Sequence, residues 1–226
     1  MILPITTHKY LVLSGRLQHP DTVGDLKELQ TRLNNVLKRI NKGYSLGMVS
    51  KLTLVEDSGF LGVLQPDSYI LTLLEQLQRA MEPDIYFFGL GLGTIATQIN
   101  TETPIGADGP AFSRCQDALN RLAFLRKHKP SSPAILRIVA EQSLFIQAEA
   151  LNALFEVMAA LRDEWQPRQS QIAWDMLLHR DGQTACAKRL GVNQSTIARS
   201  LAGSNFYVYQ KAMEAAELAI RDLADL

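Results

Sequence analysis

QTACAKRLGVNQSTIARSL, running from Gln183 to Leu201, reads as a helix, a tight turn and a second helix. Ala187, Leu190, Val192 and Ile197 fall where a helix-turn-helix needs its inward contacts. Ala187 is small enough to let the second helix cross close by. Gly191 stands where the turn calls for a left-handed backbone, which glycine adopts without a steric clash. Asn193 or Ser195 can cap the second helix by accepting a backbone N–H. Leu201 follows Ile197 by four residues and extends the same buried face. The exposed face then carries Gln194, Ser195, Thr196 and Arg199, side chains that can reach phosphates or base edges in a major groove. Gln183 and Thr184 open the first helix and are placed to hold a phosphate through backbone N–H groups. Lys188 and Arg189 add non-specific attraction. An ordinary helix pair inside a bundle would account for the aliphatic spacing and the glycine. It would not account for a second helix that opens with small polar groups and one Arg.

Moving outward, Trp165-Gln166-Pro167 starts the module, with Pro167 suited to a first helical turn. Ile172, Ala173, Met176 and Leu177 predict a supporting helix before Gln183. After it, residues 207–226 read as helical, with Met213, Ala216, Leu218, Ala219 and Leu223 spread around the axis. Between Gln166 and Leu201, five cations (Arg168, Arg180, Lys188, Arg189, Arg199) face two carboxylates (Asp175, Asp181). The local excess is modest, so strong DNA binding calls for two copies of the module. The chain of 226 residues has no net charge, so any nucleic-acid contact must be local. Its 46% hydrophobic content supports a true core.

Other chemistries have little to work with. Cys115 and Cys186 are far apart, in no metal-like spacing, and read as free thiols of a cytosolic protein. The four histidines are scattered, so neither a metal nor a cofactor is expected. The N-terminus lacks a signal-peptide pattern, and no apolar stretch is read as long enough to span a membrane. The expectation is a cytoplasmic protein with no membrane partner.

The first half alternates short apolar runs with amphipathic stretches. Residues 10–14 (YLVLS) predict a strand, and the stripe Val23, Leu26, Leu29, Leu33, Val36, Leu37, Ile40 predicts a helix announced by Pro20 and Asp21. Residues 49–54 and 60–64 flank EDSG, a hairpin signature. Ile70, Leu73, Leu74, Leu77 and Met81 mark a second helix, opened by Gln65-Pro66-Asp67. IYFFGLGLGTI, 85–95, is a strand whose alternating Gly89, Gly91 and Gly93 imply close packing on one face. They do not form a dinucleotide fingerprint. IGADGPA, 105–111, is a loop. It precedes a helix over 112–125 with Cys115, Leu119, Leu122 and Ala123 inward. KHKPSSP, 127–133, is a surface loop or linker, and 134–139 a last strand. The helix over 144–161 is apolar so far round that it must be buried, a second copy of itself being one candidate.

Strand, helix, hairpin, helix, strand is the ferredoxin-like order. LSGR at 13–16, VSKLTLVEDSGFLGVL at 49–64, YFFGLGLGTIATQI at 86–99, IGADGPAFSRCQDAL at 105–119 and the ending DEWQPRQSQ…QTACAKRLGVNQSTIARSL resemble the SatD family. The resemblance covers most of the chain. It implies a nucleotidyl-cyclase-type palm joined to a C-terminal helix-turn-helix. In such palms two acidic residues hold divalent metals against nucleotide phosphates. Family members read Gly-Asp at the first place and Gly-Asp-Glu-Phe at the second. This chain reads Gly15-Arg16 and Asp57-Ser58-Gly59-Phe60. Arg16 is a competing cation at a ligand position, and Ser58 stands at the other.

The expected fold class is therefore α+β. A ferredoxin-like, palm-type domain over 1–141 leads through a connecting or dimerising helix over 142–165 to a helix-turn-helix domain over 166–226. The expected function is a DNA-binding transcriptional regulator, a homodimer, without catalytic or metal-binding residues. Its degenerate palm would sense a nucleotide or other small molecule near Arg16, Glu56, Asp57, Asp108 and Gly109. Glu56 and Asp57 also read as a solvated turn, and Asp108 and Gly109 as residues chosen for backbone shape. The alternative is a metal-dependent, cyclase-like enzyme that uses Glu56 and Asp57 and carries a regulatory tail.

Overall fold

A computed structural model describes the backbone of Ile2 and Leu3 and residues 8–19, 24–55, 59–66 and 69–226. Pro20, Asp21, Val23, Glu56, Asp57, Ser58 and Asp67 lie outside the described residues. Among those described, the chain is mixed α+β. A central sheet is built from β2 (Tyr10–Leu17), β3 (Met48–Val55), β4 (Gly59–Leu64), β5 (Tyr86–Gly93) and β7 (Leu136–Val139), in the order β3-β4-β2-β5-β7. Neighbours are antiparallel except β5 and β7, which run parallel. β1 (Ile2–Leu3) and β6 (Ile99–Asn100) form a separate ribbon.

Period-two alternation sorts β2 and β5 onto two faces. Leu11, Leu13 and Leu17 join Phe88, Leu90 and Leu92 in a core shared with α1 (Leu26–Gly43) and α2 (Ile70–Met81). Asp25 caps α1 by accepting from the N–H groups of Lys27 and Glu28 at 2.9 and 3.0 Å. The apolar stripe of α2 is buried as its spacing predicts, and so is that of α1 from Leu29 to Ile40, whereas Leu26 in its first turn is 47% exposed. Tyr10 and Val12 face the other way, against α3 (Pro110–His128). There the three glycines of β5 let α3 approach backbone to backbone. A Cβ on Gly91 would stand 2.0 Å from the Ala111 carbonyl oxygen. Two more expectations fail locally. Ala123 faces solvent, and Ala118, a turn earlier, takes the inward place. Strand β2 runs three residues past Ser14, because Gly15, Arg16 and Leu17 keep pairing with β5.

Lys127 and His128 still belong to α3, and residues 129–133 are a loop inside this half, since β7 follows them into the sheet. Next come α4 (Phe145–Asp163), α5 (Pro167–His179), α6 (Gln183–Leu190), α7 (Gln194–Gly203) and α8 (Phe206–Asp225). α4 lies on β7 and α8, and one buried core runs from Leu11 of the sheet to Leu223 of the last helix. With the turn ahead of it, α4 spans Gln142–Asp163, 22 residues long and apolar enough to cross a membrane by length and composition. That corrects the sequence expectation. The reason is that apolar residues continue round the helix: Leu151, Phe155 and Met158 are buried, while Ile146 and Val157 on the opposite side are 79% and 57% exposed. The buried side belongs to a core packed on protein. α8 is one-sided rather than apolar all round. Phe206, Tyr209, Met213, Ala216, Ile220 and Leu223 go inward and Leu218 faces out.

Two polar devices fasten the halves together. Glu217 of α8 accepts from the N–H groups of Ile70, Leu71 and Thr72 and so caps α2. Burial pushes its carboxyl up to about 7, against the pull of those three donors. Glu75 of α2 receives the Tyr209 hydroxyl at 2.5 Å and Nη1 of Arg162 at 3.2 Å. Neither Glu217 nor Glu75 stands out in the sequence, because their partners are well over sixty positions away.

Candidate nucleic-acid interface

The three helices α5, α6 and α7 are set by short-range signals. Pro167 opens α5 behind a reciprocal cap, in which Gln169 accepts from the Gln166 N–H at 2.9 Å. α6 ends at Gly191, whose φ of 64° is the left-handed value expected there. Its N–H returns to the carbonyls of the last turn. Ile172, Ala173, Met176, Leu177, Cys186, Ala187, Ile197 and Leu201 are all buried between the helices. Asn193 occupies the cap position of α7, but its side chain makes no capping hydrogen bond. The carbonyl of Asn193 accepts from Thr196 and Ile197 instead.

Arg189 departs from its expected role. Its guanidinium spans two carboxylates, Asp175 at 2.6 Å and Asp181 at 2.5 Å, and so ties α6 to the end of α5. Its charge is consumed inside the module. Hydrogen bonding to Arg189 holds the Asp175 carboxyl below its ordinary value. Burial, helped by Asp175, pushes the Cys186 thiol up to about 11. Burial pushes Cys115 up to about 12. Both thiols are therefore protonated and poor nucleophiles at neutral pH.

On the outside, Thr184, Lys188, Gln194, Ser195 and Arg199 are exposed, while Gln183 and Thr196 are partly covered. Of these seven side chains the structure brings Gln183 of α6 and Gln194 of α7 into contact. Gln194 Nε2 donates to Gln183 Oε1 at 2.5 Å, and Gln183 Nε2 donates to the Tyr207 hydroxyl at 2.7 Å. This relay fixes Gln194 while leaving it one amide N–H and its carbonyl oxygen. Those are the donor and acceptor that a bidentate contact to adenine requires. Arg199 makes one long contact to the Ser195 carbonyl, 3.4 Å, and no ion pair among the described residues. Sequence reasoning missed Tyr207. Its place at the start of α8 is the signal that could have found it.

Of the proposed ligand residues, Arg16 lies apart from Asp108 and Gly109. Arg16 is exposed near the end of β2, opposite Phe87. Asp108 and Gly109 lie beyond the other end of β5, past Gly93, which pairs with Tyr10. Because β2 and β5 are antiparallel, six residues of strand, about 20 Å, separate the two ends. Asp108 serves its own turn. Its carbonyl accepts from the Ala96 N–H at 2.9 Å and its carboxylate from the Gly109 N–H at 2.7 Å. A Cβ on Gly109 would come within 2.6 Å of the Ala96 nitrogen, so that glycine is required by space. Glu56 and Asp57 lie outside the described residues. Among the described residues no group of three or more His, Cys, Asp or Glu side chains is gathered as a metal site would need.

Fold and surface together define a mixed α+β protein that ends in a packed helical module. The chain belongs to the SatD family, which it matches over residues 10–220. No curated protein matches it. Among solved structures it is similar to a bacterial light-regulated adenylyl cyclase, at 11% identity and a TM-score of 0.43, over 60% of this chain and 44% of that one. It is also similar to a regulator of polyketide synthase expression from Bifidobacterium adolescentis, at 11% identity and a TM-score of 0.28, over 97% of this chain and 86% of that one. The chain thus spans less than half of the cyclase.

Proposed function

We propose that this protein is a sequence-specific DNA-binding transcriptional regulator, a homodimer of the cytoplasm, in which residues 166–226 act as the helix-turn-helix domain. The observation that carries the reading is the exposed polar flank of α7, with Gln194 pre-set by Gln183 and Arg199 without an ion pair among the described residues. Gln194, Ser195, Thr196 and Arg199 face the major groove. Gln183, Thr184 and Lys188 meet phosphate. The first half, β2-α1-β3-β4-α2-β5 with strand order β3-β4-β2-β5, is read as ferredoxin-like. It serves as a platform for sensing and dimerisation and not as an enzyme. In support, Arg16 puts a fixed cation where the family pattern carries its first acidic residue.

The outer face of α4 supplies the seam between protomers. Ile146, Ala150, Ala153, Val157 and Ala160 recur at alternating spacings of four and three, the period of paired helices. The alanines let two such helices approach closely. On one rim Glu149 is held by Arg137 and Glu156 by Ser132, which directs both carboxylates toward their own protomer.

Selection of bound sequences from random DNA at physiological salt tests the reading. A two-fold repeated site is expected, with Arg199→Ala weakening it by about 1–3 kcal/mol. Lys188→Ala should weaken all sequences alike and lower the salt dependence. No enriched sequence, or binding indifferent to Arg199→Ala and Gln194→Ala, refutes it. Magnesium-dependent turnover of ATP or GTP would instead establish the enzyme.

A further inference from the structure

A cavity of about 480 Å³ opens where the two halves of the chain meet. The end of α2 and the loop after α3 line one side, and the end of α4 with the start of α5 lines the other. Its size falls within the range of small-molecule sites, about 300–1,000 Å³. Three arginines line it, Arg79, Arg126 and Arg162. Arg162 is balanced by Glu75 through one nitrogen. Arg126 is held by a single bond from Nη1 to the Pro130 carbonyl, 2.7 Å. Arg79 lies over the Trp174 ring, 5.5 Å from its centroid. Neither Arg79 nor Arg126 has an ion pair among the described residues. Glu82 and Asp163 also line the cavity, but neither forms an ion pair with Arg79 or Arg126 among the described residues, and burial raises the Asp163 carboxyl above its ordinary value.

We propose that this cavity binds a ring-bearing phosphate monoester, with Arg79 and Arg126 taking the phosphate and the ring lying against Trp165 and Trp174. Two guanidiniums without an ion pair among the described residues leave donors for a phosphate monoester, whose charge near neutral pH is about −1.5 to −2. Their forked donors suit its terminal oxygens. The indole rings supply the flat apolar surface that such a ligand needs. Because α5 forms one wall and also supports α6 and α7, a bound ligand braces the helical module against the sheet. This consequence rests on the DNA-binding reading; the binding itself does not.

The chain carries two tryptophans, and both line this cavity, so their fluorescence reports on it directly. Full-length protein without DNA is titrated with AMP, GMP and phenyl phosphate, and separately with adenosine and inorganic phosphate. At least one of the three monoesters is expected to give a saturable change that adenosine and inorganic phosphate do not match. Arg126→Gln should weaken it by about tenfold or more, the scale of a lost charge-assisted contact. Ser170→Phe, which fills the cavity without removing a charge, should abolish it. Circular dichroism and urea midpoints verify that both variants fold. The proposal is overturned if none of the three monoesters gives a saturable signal, if adenosine or inorganic phosphate gives an equal one, or if both variants titrate like the parent. Since no DNA is present, that failure leaves the regulator reading standing.

Discussion

Gly91→Ala tests how β5 and α3 are joined. The added Cβ would lie 2.0 Å from the Ala111 oxygen, 2.4 Å from the Cys115 nitrogen and 2.9 Å from the Cys115 Cα. All three atoms are helix backbone, so no side chain can turn aside. Ordinary contact begins at 3.4 Å, which requires α3 to withdraw by about 1.4 Å. A gap of about 0.5–1 Å already forfeits a quarter to a half of the dispersion energy of a contact. α3 buries Ala111, Cys115, Ala118, Leu119 and Leu122 against the sheet, and all would lose contact together. The expected loss is about 3 kcal/mol, at the upper end for overpacking. For a chain of this length that lowers the melting temperature by about 6–12 °C. Urea unfolding followed by circular dichroism measures it. Gly43→Ala, at the last residue of α1 with nothing within 4 Å of the added methyl, is the control. It should be neutral or slightly stabilising. Gly93→Ala should cost less than Gly91→Ala, since its nearest neighbour is the end of the Arg114 side chain, which can turn aside at the loss of its hydrogen bond to the Leu92 carbonyl. If Gly91→Ala unfolds at the same urea concentration as Gly43→Ala, the account of this packing is wrong.

Three further expectations concern the helical half. Asp175 has a folded pKa below its unfolded value, so its contribution to stability is present above about pH 4 and is lost as acid drives the pH below that. Arg189→Met should flatten this part of the acid-unfolding curve, and an unchanged curve would contradict the pairing. Glu217→Ala uncaps three N–H groups of α2 and should cost about 1–3 kcal/mol in thermal or urea unfolding, with hydrogen exchange quickening first at Leu71 and Thr72. Ala153→Glu places a charge mid-way along the outer face of α4. Sedimentation should then show a folded monomer where the parent is a dimer, and a monomeric parent would remove the seam from the reading.

What the sequence determined by itself is the local part. The stripes of α1 and α2, the helical run of α4, the left-handed turn at Gly191 and the close approach at Gly89, Gly91 and Gly93 depend on neighbours within one or two turns or along one strand. The residue types there leave few alternatives. The family, too, was legible, because short motifs such as IGADGPA are fixed by turn geometry. Tertiary structure alone decided which distant groups meet. Antiparallel pairing of β2 with β5 put Arg16 and Asp108 at opposite ends of the sheet, although both had looked like parts of one ligand site. The same packing spent Arg189 on Asp175 and Asp181. It brought Glu75 to Tyr209 and set Arg79 and Arg126 around a shared cavity. Such contacts carry no periodicity along the chain. They arise only once the apolar faces of the sheet and helices have been buried against one another.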